Sequence, residues 1–140
     1  MGADKAFLKL AGVPMIEHVL NALRSVVGRI IIVTNSPEAY SSYDARVVVD
    51  VSDKRGSLIG IYTGLLHSTD EYNMVVACDM PFLNSRLISY MTGLGGEYDV
   101  VIPRTGEFVE PLHAVYCRRL LPVIEKRIEQ GDMQIKGIFS

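Results

Sequence analysis

Three short apolar runs each end on residues able to touch a charged ligand. Arg29–Thr34 closes on Thr34-Asn35, Arg46–Val49 on Asp50, and the run NMVVAC on Cys78-Asp79-Met80-Pro81. Brief runs rich in Val and Ile, apolar on both faces, predict buried strands. In an open α/β sheet, ligands bind beyond the carboxyl ends of the strands. The reading therefore gathers two carboxylates and an amide on one rim. Asp79, followed two residues later by a proline, suits a hard divalent cation. Mg²⁺ is bound by one or two carboxylates together with substrate phosphates. Each residue also has a plainer reading. Asp79 fits a turn or a helix entry, Asp50 a strand end opening a loop, and Asn35 a turn stabilised by its own side chain. Lys5, beside Asp4, is on spacing alone a solvated surface cation.

Other chemistries find less support. The stretch GSLIG opens a helix predicted over residues 57–68, whose first N–H groups favour anions or polar ligand edges. Gly60 and Gly64 lie four apart. That suits close approach to a ligand or to a sheet, and equally well plain helix packing. The stretch lacks the Lys-Ser/Thr of a P-loop, and no Gly-x-Gly-x-x-Gly follows any strand. His18, His67 and His113 match no zinc spacing. Cys78 reads as a small buried apolar residue with no histidine partner in sequence, so a thiol nucleophile is not expected. The seven tyrosines are scattered without a basic stripe and read as packing residues.

These residues need a scaffold, and the pattern supplies one. Pro14–Val26 predicts a helix with Met15, Ile16, Val19, Leu20 and Leu23 on one face and Gly28 as its stop. Ser36-Pro37-Glu38 predicts a helix start, with Ser36 as cap. Asn84 or Ser85 caps another helix running to about Met91. DVVIP and LHAVYC are two further strands around an excursion at RTGEFVEP. Arg118–Gln130 is a final amphipathic helix with Pro122 near its start. Strands alternating with helices, most of them apolar on both faces, predict a largely parallel sheet covered by helices on both sides.

The bulk numbers bound the class. A chain of 140 residues is one domain's worth, large enough for a real core. The net charge of −2 leaves no basic footprint for nucleic acid. No apolar run approaches a membrane span and no signal pattern opens the chain. Cys78 and Cys117, without metal-type spacing, suit a reduced cytoplasmic protein.

The stretch MGADKAFLKLAGVPMIEHVLNAL resembles the segment after the glycine-rich loop in the molybdenum cofactor guanylyltransferase (MobA) family. GSLIGIYTGL, VVACDMPFL and EPLHAVY resemble further segments of that family, in the same order over nearly the whole chain. The resemblance implies a Rossmann-like α/β domain of the nucleotide-diphospho-sugar transferase type that uses Mg²⁺. It implies transfer of GMP from GTP to molybdopterin-bound molybdenum, with release of pyrophosphate. By the same resemblance Lys5 contacts phosphate, Asp50 and Gly60 lie at the nucleotide, and Asp79 binds Mg²⁺ and GTP. Asn35 replaces only approximately an asparagine that the family carries nearer the strand end, where this chain has Val33. Implied partners are GTP, the molybdenum–molybdopterin acceptor, and other cofactor-biosynthesis proteins or acceptor molybdoenzymes.

Against the family pattern, only Met1-Gly2 of the glycine-rich loop is present, and the chain stops at IKGIFS, before a later Asn-x-Asn-Thr-Pro-like segment. The expectation is a single domain over 1–140 lacking its first strand and loop and its last strand and helix. Two alternatives follow. One is a related nucleotidyltransferase, such as a molybdopterin, sugar-phosphate or isoprenoid cytidylyltransferase. The other is a non-catalytic domain that binds a nucleotide or a partner protein.

Overall fold

Residues 9–14, within the stretch that resembles the segment after a glycine-rich loop, fold into a tight hairpin. In this computed structural model, which describes residues 5–51, 57–80, 82–132 and 135, β1 (Lys9–Leu10) pairs antiparallel with β2 (Val13–Pro14). Ala11 and Gly12 between them have φ of 54° and 81°. Two central residues with positive φ make the kind of turn whose twist matches paired strands, and only Gly12 adopts it without strain. Sequence readings on Met1-Gly2, Asp4, the 52–56 connection, Pro81 and the closing residues 136–140 lie outside the described residues.

The hairpin also caps the helix that follows. Helix α1 (Met15–Arg24) has Pro14 at its N-cap, which brings no side-chain cap. Its first free N–H groups are taken by backbone instead: Met15 N donates to Leu8 O (2.8 Å) and Ile16 N to Ala6 O (2.9 Å). The His18 ring binds Leu10 O through Nε2 at 2.8 Å. Ala6 is fully buried, so the turn carrying Lys5 is clamped onto α1 from below.

Strands β3 (Ile31–Thr34) and β4 (Arg46–Val49) pair in parallel, Thr34 opposite Val49. The predicted helix between them is a single 3₁₀ turn, Pro37–Tyr40, and Ser36 does not cap it by its side chain. Thr34 Oγ1 accepts from Ser36 N instead (3.0 Å), and Tyr40 anchors the turn by burying its ring against Phe7. Helix α2 (Ser57–His67) leads to β5 (Tyr72–Val76), and α3 (Ser85–Gly93) to β6 (Val100–Val101). Asn84 caps α3 by accepting from Arg86 N and Leu87 N. The excursion is a small hairpin of β7 (Arg104–Thr105) and β8 (Phe108–Val109). It returns the chain into β9 (His113–Cys117), and a short 3₁₀ turn then opens α4 (Leu121–Glu129).

The α/β layering is as the sequence predicts, but strand direction is not uniform. Strand β9 lies between β5 and β6 and runs antiparallel to both. Every residue of β9 is buried, so its apolar run looks the same in either direction. Helices cover both faces. Leu58, Ile61 and Leu65 of α2 and Ile124 of α4 pack with Ala114 and Tyr116 of β9. On the other face, Val19 and Leu23 of α1 and Ile88 of α3 pack with Met74 and Val76 of β5. A third cluster of Ala6, Ile16, Leu20, Ile32 and Tyr40 joins the opening turn to α1 and β3.

Candidate active site

Register brings the strand-end residues together. Because β3 and β4 are parallel and in step, Asn35 and Asp50 leave the sheet side by side. Asn35 is exposed and Asp50 half-buried. Cys78, which leads into Asp79, packs against the cluster containing Ala6, so the turn of Lys5 and the turn of Asp79 rest on one apolar base. Lys5 and Asp79 are both exposed above it. An exposed cation and an exposed carboxylate on separately anchored turns form an arrangement suited to a polyanion and its counter-ion. Burial raises the Cys78 thiol above its ordinary value, and the neighbouring Asp79 charge raises it further. The thiol is thus a weak nucleophile, as its sequence context suggests.

Asp50 is the electrostatically costly member. Its Oδ1 is enclosed and has no hydrogen-bond partner among the described residues. Burial raises its carboxyl above the ordinary range, while the Thr63 hydroxyl pulls the other way. Thr63 itself is fixed, donating to Ile59 O (2.9 Å) and accepting from Val51 N (3.2 Å). A raised carboxyl pKa means the native state takes up a proton before the unfolded chain does. Stability from this group is therefore fully present below its unfolded value of 3.8 and is lost as pH rises through the raised native value. Asp50→Asn is thus expected to raise the melting temperature at about pH 7 by roughly 1–3 °C, with the gain fading toward about pH 4. Melting curves at the two pH values check this; destabilisation at neutral pH would mean that the charge is satisfied in the folded state.

The two glycines of α2 differ. A Cβ on Gly64 would meet Val33 Cγ2 at 3.6 Å, so Gly64 is where the helix touches β3. Among the described residues, a Cβ on Gly60 would meet nothing within 4 Å, so Gly60 is not needed for the contact with β3.

One residue of this rim was read in sequence only as part of a strand. His113 opens β9 opposite Val76 and is nine-tenths buried. Its Nε2 is enclosed without a partner, and with Asp50 Oδ1 it makes up the orphaned buried side-chain atoms found among the described residues. Both lie at the ends of strands on the candidate rim. The sequence signal was a histidine at the head of an otherwise apolar run, LHAVYC. Beside the Asp79 turn, Phe82, Leu83, Asn84, Ser85 and Arg86 line an open depression, with Phe82 largely exposed. Among the described residues no three His, Cys, Asp or Glu side chains gather into a metal cage. Asp79 fits Mg²⁺ in the mode that needs only a carboxylate and substrate phosphates.

Comparison with known proteins agrees with this architecture. The MobA-like NTP transferase domain family matches residues 1–139. A molybdenum cofactor guanylyltransferase of Desulfosudis oleivorans is 42% identical over 140 residues, covering 99% of this chain and 69% of its own. Among solved structures, a protein of Aquifex aeolicus is 33% identical with a TM-score of 0.80, covering 88% of this chain and 65% of its own. The molybdopterin-guanine dinucleotide biosynthesis protein A of Archaeoglobus fulgidus also has a TM-score of 0.80, at 28% identity, covering 94% of this chain and 68% of its own. This chain thus spans about two thirds of the length of these relatives. With the match running over nearly all of its residues, the chain belongs to the MobA-like NTP transferase family.

Proposed function

We propose that the protein is a molybdenum cofactor guanylyltransferase, moving GMP from GTP to a molybdopterin-type acceptor with release of pyrophosphate. The observation that carries this reading is the likeness, over 99% of the chain, to a relative bearing that name. In such a transfer an acceptor phosphate oxygen attacks the α-phosphorus of the nucleotide, and pyrophosphate leaves from the opposite side. Both reactants are anions, so the protein's task is to position them and offset their charge. Bound Mg²⁺ would supply Lewis-acid stabilisation of phosphate oxygens. Asp79 would hold that ion, and Lys5 would face the phosphates as a point charge. Asn35, Asp50 and Gly60 would meet the nucleoside portion. No side-chain nucleophile takes part in this reading, and the raised pKa of the Cys78 thiol is consistent with that. No helix among the described residues is long and apolar enough to cross a membrane.

Base choice is the part of this reading easiest to overturn. With Mg²⁺ present, GTP at about 100 times its Kd should stabilise the fold by about 2.7 kcal/mol, and CTP by far less. Thermal shift with each nucleotide measures this. Stabilisation by CTP alone would instead make the protein a cytidylyltransferase. Pyrophosphate release with GTP and the molybdopterin acceptor then separates an enzyme from a domain that only binds.

A further inference from the structure

Of the two rim side chains with an orphaned buried atom among the described residues, His113 is the more deeply buried. Its backbone is fixed on three sides. His113 N donates to Glu110 O (3.1 Å), Ala77 N donates to Leu112 O (3.1 Å), and the buried Tyr116 hydroxyl donates to Pro111 O (2.7 Å). The ring stands on the same sheet face as Val76, its cross-strand partner, and Val76 packs toward α1 and α3. The next residues along β5 are Ala77, Cys78 and Asp79, so the imidazole sits at the foot of the Asp79 turn. Burial lowers its pKa, and the Glu110 charge partly opposes that shift. A buried ring nitrogen without a partner is unfavourable. A backbone this well fixed has no freedom to relieve that cost. The Cys78–Met80 turn, by contrast, carries an exposed aspartate and leads into the exposed Phe82.

We propose that His113 is a positioning residue, whose Nε2 forms a hydrogen bond to the Cys78–Met80 turn when nucleotide and metal bind, setting Asp79 in its working place. This rests on the reading of Asp79 given above. The hydrogen bond would be absent from the ligand-free chain and made on binding, so part of the binding free energy orders the turn. Such a residue acts on the bound complex and not on the folding of the free protein.

The test compares the parent chain with His113→Leu and His113→Gln. Without ligand, His113→Leu should melt at or above the parent temperature, because an unsatisfied polar atom is replaced by an apolar one. With Mg²⁺ and GTP, its thermal shift should be clearly smaller than the parent's, and its kcat should fall about tenfold at saturating GTP, with KM for GTP changed less than kcat. His113→Gln, which retains a hydrogen-bonding group, should recover most of both losses. The proposal fails if His113→Leu destabilises the ligand-free chain, since the ring would then already be satisfied. It also fails if His113→Leu responds to Mg²⁺ and GTP as the parent does. A parent that shows no response to Mg²⁺ and GTP would remove the nucleotide reading and this proposal with it, whereas a responding parent with an equally responsive variant removes only the role of His113.

Discussion

Asp79→Asn should abolish Mg²⁺-dependent nucleotidyl transfer, lowering kcat by at least about a hundredfold, while the protein melts within about 2 °C of the parent. The stability half follows from position. Asp79 is exposed in a turn, and surface substitutions away from special features change stability by about 0.5 kcal/mol or less. The turn is held from beneath by Cys78, whose packing against the Ala6–Ile16–Leu20 cluster does not involve the carboxylate. The activity half follows from charge. Asparagine keeps the shape and one oxygen but loses the full negative charge that a hard cation requires. A second readout is independent of turnover. The Asp79 charge is one cause of the raised Cys78 thiol, after burial. Its removal should lower that pKa and speed Cys78 alkylation modestly, with fully buried Cys117 as the unreactive internal control. Faster alkylation with full turnover would place Asp79 beside Cys78 but outside the chemistry. Turnover within a few-fold of the parent would refute the metal assignment.

The sequence pattern carries most of the elements and little of their direction. Arg46–Val49 appears as a strand with the bounds predicted, α2 ends one residue earlier than predicted, and Asn84 caps α3. These succeed because a β-branched run, an apolar helical face and an Asn cap are local signals. The reversed course of β9 is not local. A fully buried strand shows no alternation, so its composition is silent about its neighbours' directions. The connection does hold a clue. Only residues 102–112 separate β6 from β9, and a hairpin occupies their middle, whereas a parallel return needs a crossover of about a dozen residues or more, usually helical.

The candidate site divides in the same way. Residues at strand ends were legible because topology alone puts them on the rim. Asn35, Asp50 and Asp79 were named as candidates by that rule, and each follows a strand end. His113 escaped it because it begins an antiparallel strand: the carboxyl end of β5 is met by the amino end of β9. Knowing the direction of β9 would have made His113 a rim residue at once. Gly60 and Gly64 show the opposite limit. Their shared spacing suggested a shared role, yet among the described residues only Gly64 lies against β3, where an added Cβ would meet Val33 Cγ2.

Lys5→Ala should lower kcat/KM for GTP by about 30- to 150-fold, the range expected for loss of a charge-assisted contact of roughly 2–3 kcal/mol. The fold should not notice. The backbone around Lys5 is held by groups its side chain does not supply: Leu8 N on Lys5 O (3.3 Å), Ile16 N on Ala6 O, and Met15 N on Leu8 O. Those bonds also satisfy the first turn of α1, so the turn stays in place for as long as α1 does. The exposed ammonium is therefore an appendage on a rigid mount, and its loss reports on ligand charge alone. That makes a graded test available. Affinity lost on Lys5→Ala should be greatest for GTP, smaller for GDP and least for GMP, because a point charge aimed at the polyphosphate works against progressively less charge along that series. Lys5→Arg should restore part of the loss, since charge returns but the compact ammonium is replaced by a planar fork. Equal losses for GTP and GMP, measured by titration calorimetry, would move Lys5 away from the polyphosphate. Unchanged binding with lowered turnover would instead place its effect in the transition state, where charge on the departing pyrophosphate grows.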